Sequence, residues 1–359
     1  MADSLRYYVA HNGGLKVMQA QGGGSLSAVG EFFEGKTLEY LTGSRKQPEI
    51  VFAAVAFDGG YRTNNGGRSW KRIFDGDVRT FTIDPHEERV VYMGIGPIRL
   101  FRNEDGGMTF EPIDSMLEFS EDVKQKWDVP PRLRGIEFPQ VRHIFILPED
   151  HRLLFVLLEH GGVLYSGDGG EIWEDRSNGI AYPDMHIIQS YPGSKEQYYV
   201  SSARGFFRSD DRGKHWRRVE SGMPCAYTEL HSYSHEWDFL PGQPPRMVLC
   251  GGRGSPGVWS REKTDPKGHI LLSDNDGETW RVANRGLRSE LPYMPWVLLH
   301  HPTDPDAIFC GMGDGARGYG FDPKQRGAGA FYLSRDRGES WEPVLSNTPS
   351  ILTAWVAAN

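Results

Sequence analysis

The sequence predicts an all-β protein, a β-propeller of seven four-stranded antiparallel blades, with six blades as the alternative. Three observations carry this expectation. An eight-residue stretch, SRDRGESW in its last copy at 334–341, recurs six times along the chain. Where copies lie closest, their final aromatics are 40 and 43 residues apart, the length of one four-stranded propeller blade. The two chain ends carry β-rich segments that find partners only in each other. Composition agrees, because 44 Gly and 23 Pro in 359 residues supply tight turns and 12% aromatic residues supply a core.

The other copies lie at 63–70 (TNNGGRSW), 103–110 (NEDGGMTF), 166–173 (SGDGGEIW), 209–216 (SDDRGKHW) and 273–280 (SDNDGETW). Each follows an apolar strand and precedes another, as Gly162 to Tyr165 and Gly329 to Leu333 illustrate, so each is read as a hairpin turn. Its Asp or Asn bonds backbone groups of the turn, its Gly takes a positive φ, and its Trp packs as the next strand starts. The pattern Ser/Thr-x-Asp-x-Gly-x-Ser/Thr-Trp resembles the Asp-box of BNR-repeat proteins. That resemblance implies a β-propeller, a fold found in sialidases, xyloglucan-degrading glycosidases, sorting receptors and a photosystem assembly factor. It leaves activity open. No Arg-Ile-Pro, as sialidases of this kind carry, occurs here.

Blade one is expected from about Thr37 to Phe74. Inner strands follow at Val78 to Pro85, Val141 to Pro148, Met185 to Pro192, Tyr227 to Ser234 and Trp296 to Pro302. Second strands follow at Arg89 to Gly94, Leu153 to Leu158, Gln197 to Ser202, Met247 to Cys250 and Ala307 to Gly311. After the last box, Ser350 to Ala357 has the character of an inner strand with no successor, while Arg6 to Ala10, Gly14 to Met18 and Ser25 to Val29 are three strands with no inner partner. Joined, 349–359 and about 5–33 make a seventh blade and leave no open sheet edge. The whole chain, 1–359, then forms a single propeller domain. If the N-terminal strands pair elsewhere, six blades remain.

Composition narrows the function. A net charge of -8 argues against a nucleic-acid partner. No stretch approaches the ~18 apolar residues of a membrane span, and the N-terminus lacks a basic segment leading into an apolar run, so a cytoplasmic location is expected. Cys225, Cys250 and Cys310 show no CxxC spacing and read as free thiols.

Box turns and the turns between first and second strands share one face of the disc. The opposite face carries three insertions, 114–140, 251–268 and 313–328, and long loops on a rigid scaffold commonly bind ligands. Aligning inner strands on their terminal Pro, or on Ser234 in blade five, sets Arg79, Arg142, His186 and Thr228 at one level near the channel mouth, with Thr80, His143, Ile187 and Glu229 next. Strand ends add Glu159, His160, Arg204, Arg253 and Asp314 to the rim. Arg79 and Arg142 form a fork for a carboxylate or other anion, unless they pair with Glu159, Glu229 or Asp314 across blades. His160, Arg204 and Arg253 join them as candidate substrate-binding residues.

His143, His186 and His231 sit on successive inner strands as candidate acid–base groups, with Glu229 or Asp314 as the carboxylate. Converging inner-strand imidazoles could also hold a divalent metal ion. The sequence thus points to an enzyme, hydrolase or lyase in type, acting on a small anionic or carbohydrate-like ligand at the channel mouth. The alternative is a non-catalytic scaffold or assembly factor that anchors a protein partner on Trp127, Trp259, Tyr319 and Phe321.

Overall fold

The computed structural model describes residues 5–20, 25–127, 138–226, 232–262, 264–287, 293–313 and 328–358. Seven four-stranded antiparallel sheets close into a ring, a seven-bladed β-propeller. From blade one to blade seven the inner strands are Leu38–Gly43, Asp77–Ile83, Gln140–Leu147, Met185–Ser190, Ser232–Leu240, Met294–His300 and Ile351–Ala358, each adjoining the inner strands on either side. Blade seven is assembled from both chain ends. Ile351–Ala358 pairs antiparallel with Leu5–His11, setting Tyr8 against Trp355, and Gly14–Ala20 and Leu26–Phe32 complete the sheet. No helix among the described residues is long and apolar enough to cross a membrane.

The inner strand of blade five departs from expectation. It runs Ser232–Leu240 rather than 227–234, and residues 227–231 lie outside the described set. The strand ends just before Pro241, as the inner strands of blades two, three, four and six end one or two residues before Pro85, Pro148, Pro192 and Pro302. Trp237 and Leu240, which a strand ending at Ser234 would have left in a loop, are buried.

Alternating apolar residues fill the space between facing sheets. Tyr92 and Leu100 of blade two pack with Val141, Ile144, Leu154 and Trp173 of blade three, and comparable clusters recur around the ring. The repeated turns knit each hairpin in the same way. In the last copy Ser334 Oγ accepts the Gly338 N–H at 2.8 Å and donates to Asp336 Oδ1, which also accepts the Ser340 N–H at 2.8 Å. The same two backbone bonds recur in the other five copies.

Three turn tryptophans also reach the preceding blade. Trp216, Trp280 and Trp341 donate their indole N–H to the carbonyls of Arg176, Val219 and Ala283 at 2.7, 2.9 and 3.0 Å. Their backbone N–H groups bond Asn178, Ser221 and Arg285, each one residue before a glycine at positive φ. At Gly222 a Cβ would stand 2.2 Å from the Trp280 carbonyl oxygen, so only glycine allows this approach.

Two insertions contribute described structure. Residues 114–140 begin with a 3-10 turn, Asp114–Leu117, and a short helix, Glu121–Lys124, and 128–137 fall outside the described residues. The 251–268 insertion forms the helix Pro256–Glu262, whose Trp259 is buried and donates to the Arg253 carbonyl at 2.6 Å. The third insertion lies almost entirely outside the described residues.

Candidate functional site

Side chains from the inner strands and their flanking loops meet on the axis. One residue sits six places before the terminal proline of its strand in blades two to six: Arg79, Arg142, His186, His235 and Trp296. Four members of this level, from blades three to six, touch through His235. Arg142 Nη2 lies 3.1 Å from His235 Nε2, the His186 and His235 rings are 4.9 Å apart, and His235 meets Trp296 edge-on at 4.8 Å.

Above this level, on the insertion-bearing face, Glu159 ends the second strand of blade three, His160 opens the turn after it, and Asp184 precedes the inner strand of blade four. His160 holds a φ of +62°, a conformation uncommon outside glycine. His160 Nε2 stands 4.0 Å from Asp184 Oδ2, and His186 Nε2 stands 3.9 Å from Asp184 Oδ1. Donor atoms of Glu159, His160 and Asp184 all fall within 4.8 Å of one another, the sole such group of three among the described residues. Glu159 Oε2 accepts the Gln140 amide at 2.7 Å.

The electrostatics of the cluster are uneven. Burial raises the Asp184 pKa well above the usual carboxylate range, and the Glu159 charge adds to this. Burial also works against Glu159, but Arg142, Gln140, His160 and His186 together bring its pKa below the ordinary value. One carboxyl therefore holds its proton beside another that is ionised. Burial would draw the Arg142 pKa down, and Glu159, Glu39, Tyr233 and Glu236 raise it instead. Burial lowers that of His160. His186 has a fixed tautomer: Nδ1 donates to the Ser234 carbonyl at 2.6 Å, and Nε2 accepts from the Tyr233 hydroxyl at 3.4 Å.

Aromatic side chains wall the cluster. Tyr182 meets His160 edge-on and lies under the Arg204 guanidinium at 4.2 Å. Tyr233, Trp259 and Trp296 pack against one another on the other side. Below, the channel holds a cavity of about 70 Å³ beside Glu39, Tyr40, Arg142, Glu236 and Trp296.

The remaining sequence candidates fall at several depths. Arg79 is turned to Asp77 of its own strand, with Nη2 2.6 Å from Oδ2, and across to Glu39 of blade one at 3.4 Å. His143 accepts the Ile188 N–H at 3.4 Å and opens toward the other face, into a pocket of about 360 Å³ with Tyr40, Arg45 and Gln189. Arg253 is exposed at the rim. Trp259, read as an exposed anchor, is instead a buried wall, and Trp127 is half-buried against Phe119. Glu229, His231, Asp314, Thr228, Tyr319 and Phe321 lie outside the described residues.

Sequence reasoning missed Asp184, Gln140, Tyr233 and His235. For His235 the signal was Pro241, which sets the register of blade five.

No family model matches the sequence, and no curated protein matches it. Solved structures do. The chain is similar to the GH74 enzyme of Niastella koreensis, with 14% identity and a TM-score of 0.63 over 94% of this chain and 46% of that one. It is similar to YCF48 bound to D1 peptide, with 16% identity and a TM-score of 0.51 over 86% and 82%. Dihydro-heme d1 dehydrogenase NirN in complex with DHE matches with 13% identity and a TM-score of 0.54 over 98% and 74%. The chain spans less than half the length of the GH74 chains it matches. At these identities the likeness defines the class by fold, that of the β-propeller proteins.

Proposed function

We propose that this chain is an enzyme that binds a small anionic or sugar-like substrate over the channel mouth and cleaves it by hydrolysis or lyase-type elimination. The carrying observation is the convergence of Glu159, His160, Asp184 and His186 on the insertion-bearing face. Burying two carboxyls side by side is costly, and a positive φ at His160 adds about 1–3 kcal/mol. Costs of this kind collect where side chains do chemistry.

Arg142 and Arg204 supply positive charge for the substrate's anionic group. Half-buried Tyr182 offers aromatic surface to a sugar ring, backed by the buried Tyr233 and Trp259. The tautomer of His186 makes Nε2 the acceptor, and a substrate hydroxyl or attacking water would take the place of the Tyr233 hydroxyl there. We also assign the repeated turns to the Asp-box class, on the strength of their shared hydrogen bonds. A sugar-like substrate is in keeping with the GH74 neighbours, one of which is a xyloglucanase, although they share the fold alone.

A scaffold role would favour a broad apolar patch. The large hydrophobic residues exposed among those described, Phe57, Met108, Ile172 and Val282, lie on different blades or loops. The test is a panel of chromogenic aryl glycosides and glycuronides, run with the wild type and Glu159→Gln. Turnover that falls at least about 100-fold in the variant supports the reading. Equal turnover in both, or none on any member, argues against it.

A further inference from the structure

We propose that Glu159, His160 and Asp184 bind one divalent first-row transition-metal ion. Its role in catalysis rests on the enzyme reading above; its existence does not.

The His160 imidazole is 3% exposed, and its Nε2, facing Asp184 at 4.0 Å, makes no hydrogen bond among the described residues. Asp184 Oδ1 makes none either. Buried polar atoms are nearly always paired, and a cation between these groups would satisfy both lone pairs. Glu159 supplies a third donor within 4.8 Å of the other two.

The surroundings are those of a metal site. Gln140 fixes one Glu159 oxygen, an outer contact of the kind that orients metal ligands. One nitrogen and two carboxylates, with no thiolate, suit ions from Mn2+ to Zn2+ better than Mg2+ or Ca2+, which favour all-oxygen sets. Three protein ligands leave coordination positions for water and substrate, as catalytic sites require. The donors stand wider than the ~3–3.4 Å edge of a filled coordination shell, so binding draws them inward by about an ångström.

The test uses the full chain, stripped with a chelator and titrated calorimetrically with Mn2+, Zn2+ and Ca2+, with bound metal counted by elemental analysis. We expect one equivalent of Mn2+ or Zn2+, and affinity at least about tenfold weaker in Glu159→Gln, Asp184→Asn and His160→Asn. Asn is chosen at position 160 because it tolerates a positive φ. Wild-type stoichiometry decides the question even if a variant fails to fold. Substoichiometric binding, Ca2+ bound as tightly, or variants that bind like the wild type would overturn the proposal. Turnover that depends on Glu159 without metal binding would leave the enzyme reading standing and remove the metal. A bound metal without turnover would do the reverse.

Discussion

Asp184 lies between two histidines, with Oδ1 3.9 Å from His186 Nε2 and Oδ2 4.0 Å from His160 Nε2. It comes from the loop that enters blade four, whereas Glu159 and His160 come from blade three, so the cluster exists only once the blades are packed. Asp184→Asn keeps the shape of the side chain and removes a buried acid from beside Glu159. The expected outcome is a melting temperature equal to or above that of the wild type, read by circular dichroism, together with loss of turnover. A large drop in melting temperature would mean that Asp184 serves the fold.

His143 predicts an acid limb in stability. Burial, reinforced by the Arg142 charge, lowers its pKa to about 3 from an ordinary 6.5. The unfolded chain therefore binds a proton more readily than the folded one between these values. Its contribution is fully present above pH 6.5 and is lost as pH falls toward 3. Lowering the pH from 7 to 5 should cost about 2 kcal/mol through this group. His269, lowered to about 4 chiefly by burial, acts in the same direction. Denaturant titrations should show a shallower pH slope in His143→Gln, and an unchanged slope would contradict this assignment.

Gly222 should be far less replaceable than a glycine of similar φ in open space. Gly222→Ala places a Cβ 2.2 Å from the Trp280 carbonyl and should cost ~3 kcal/mol, combining overpacking with left-handed strain. Gly193, at φ +77° with nothing within 4 Å, should cost ~1 kcal/mol as Ala. Gly179 and Gly286, where a Cβ would stand 2.2 and 2.1 Å from the carbonyl oxygens of Trp216 and Trp341, should behave like Gly222. Equal costs at Gly222 and Gly193 would remove the blade-to-blade role given to these contacts.

Deleting residues 350–359 should open the ring. It strips the inner strand from blade seven, exposes the Leu5–His11 edge and removes the buried side chains of Ile351, Leu352 and Val356. Size-exclusion chromatography should show aggregation or loss of the compact species, and a soluble, cooperatively folded product would refute the closure.

Most of the fold was legible because the box turns act as rulers. Their spacing gives the blades, and the unpaired segments at 5–33 and 349–359 give the closure that Tyr8 and Trp355 make. In blade five Pro241, not Ser234, marks the strand end, and a register set on Ser234 hides His235. The Gly six residues after Trp173, Trp216 and Trp280 is equally visible in the sequence, but its meaning lies in a contact with the next blade's Trp. The site was less legible. Glu159 and His160 could be placed on the rim, whereas Asp184 sits in a short loop whose direction no periodicity fixes. Nor could the sequence say that Arg79 turns to Asp77 while Arg142 reaches His235.

The most direct measurement is kcat/KM for the best substrate in Asp184→Asn and Arg79→Gln, side by side. Arg79 is occupied by Asp77 and Glu39, so its loss should change kcat/KM less than about threefold, while Asp184→Asn should lower it at least about 100-fold. Activity that survives in Asp184→Asn and vanishes in Arg79→Gln would contradict the account.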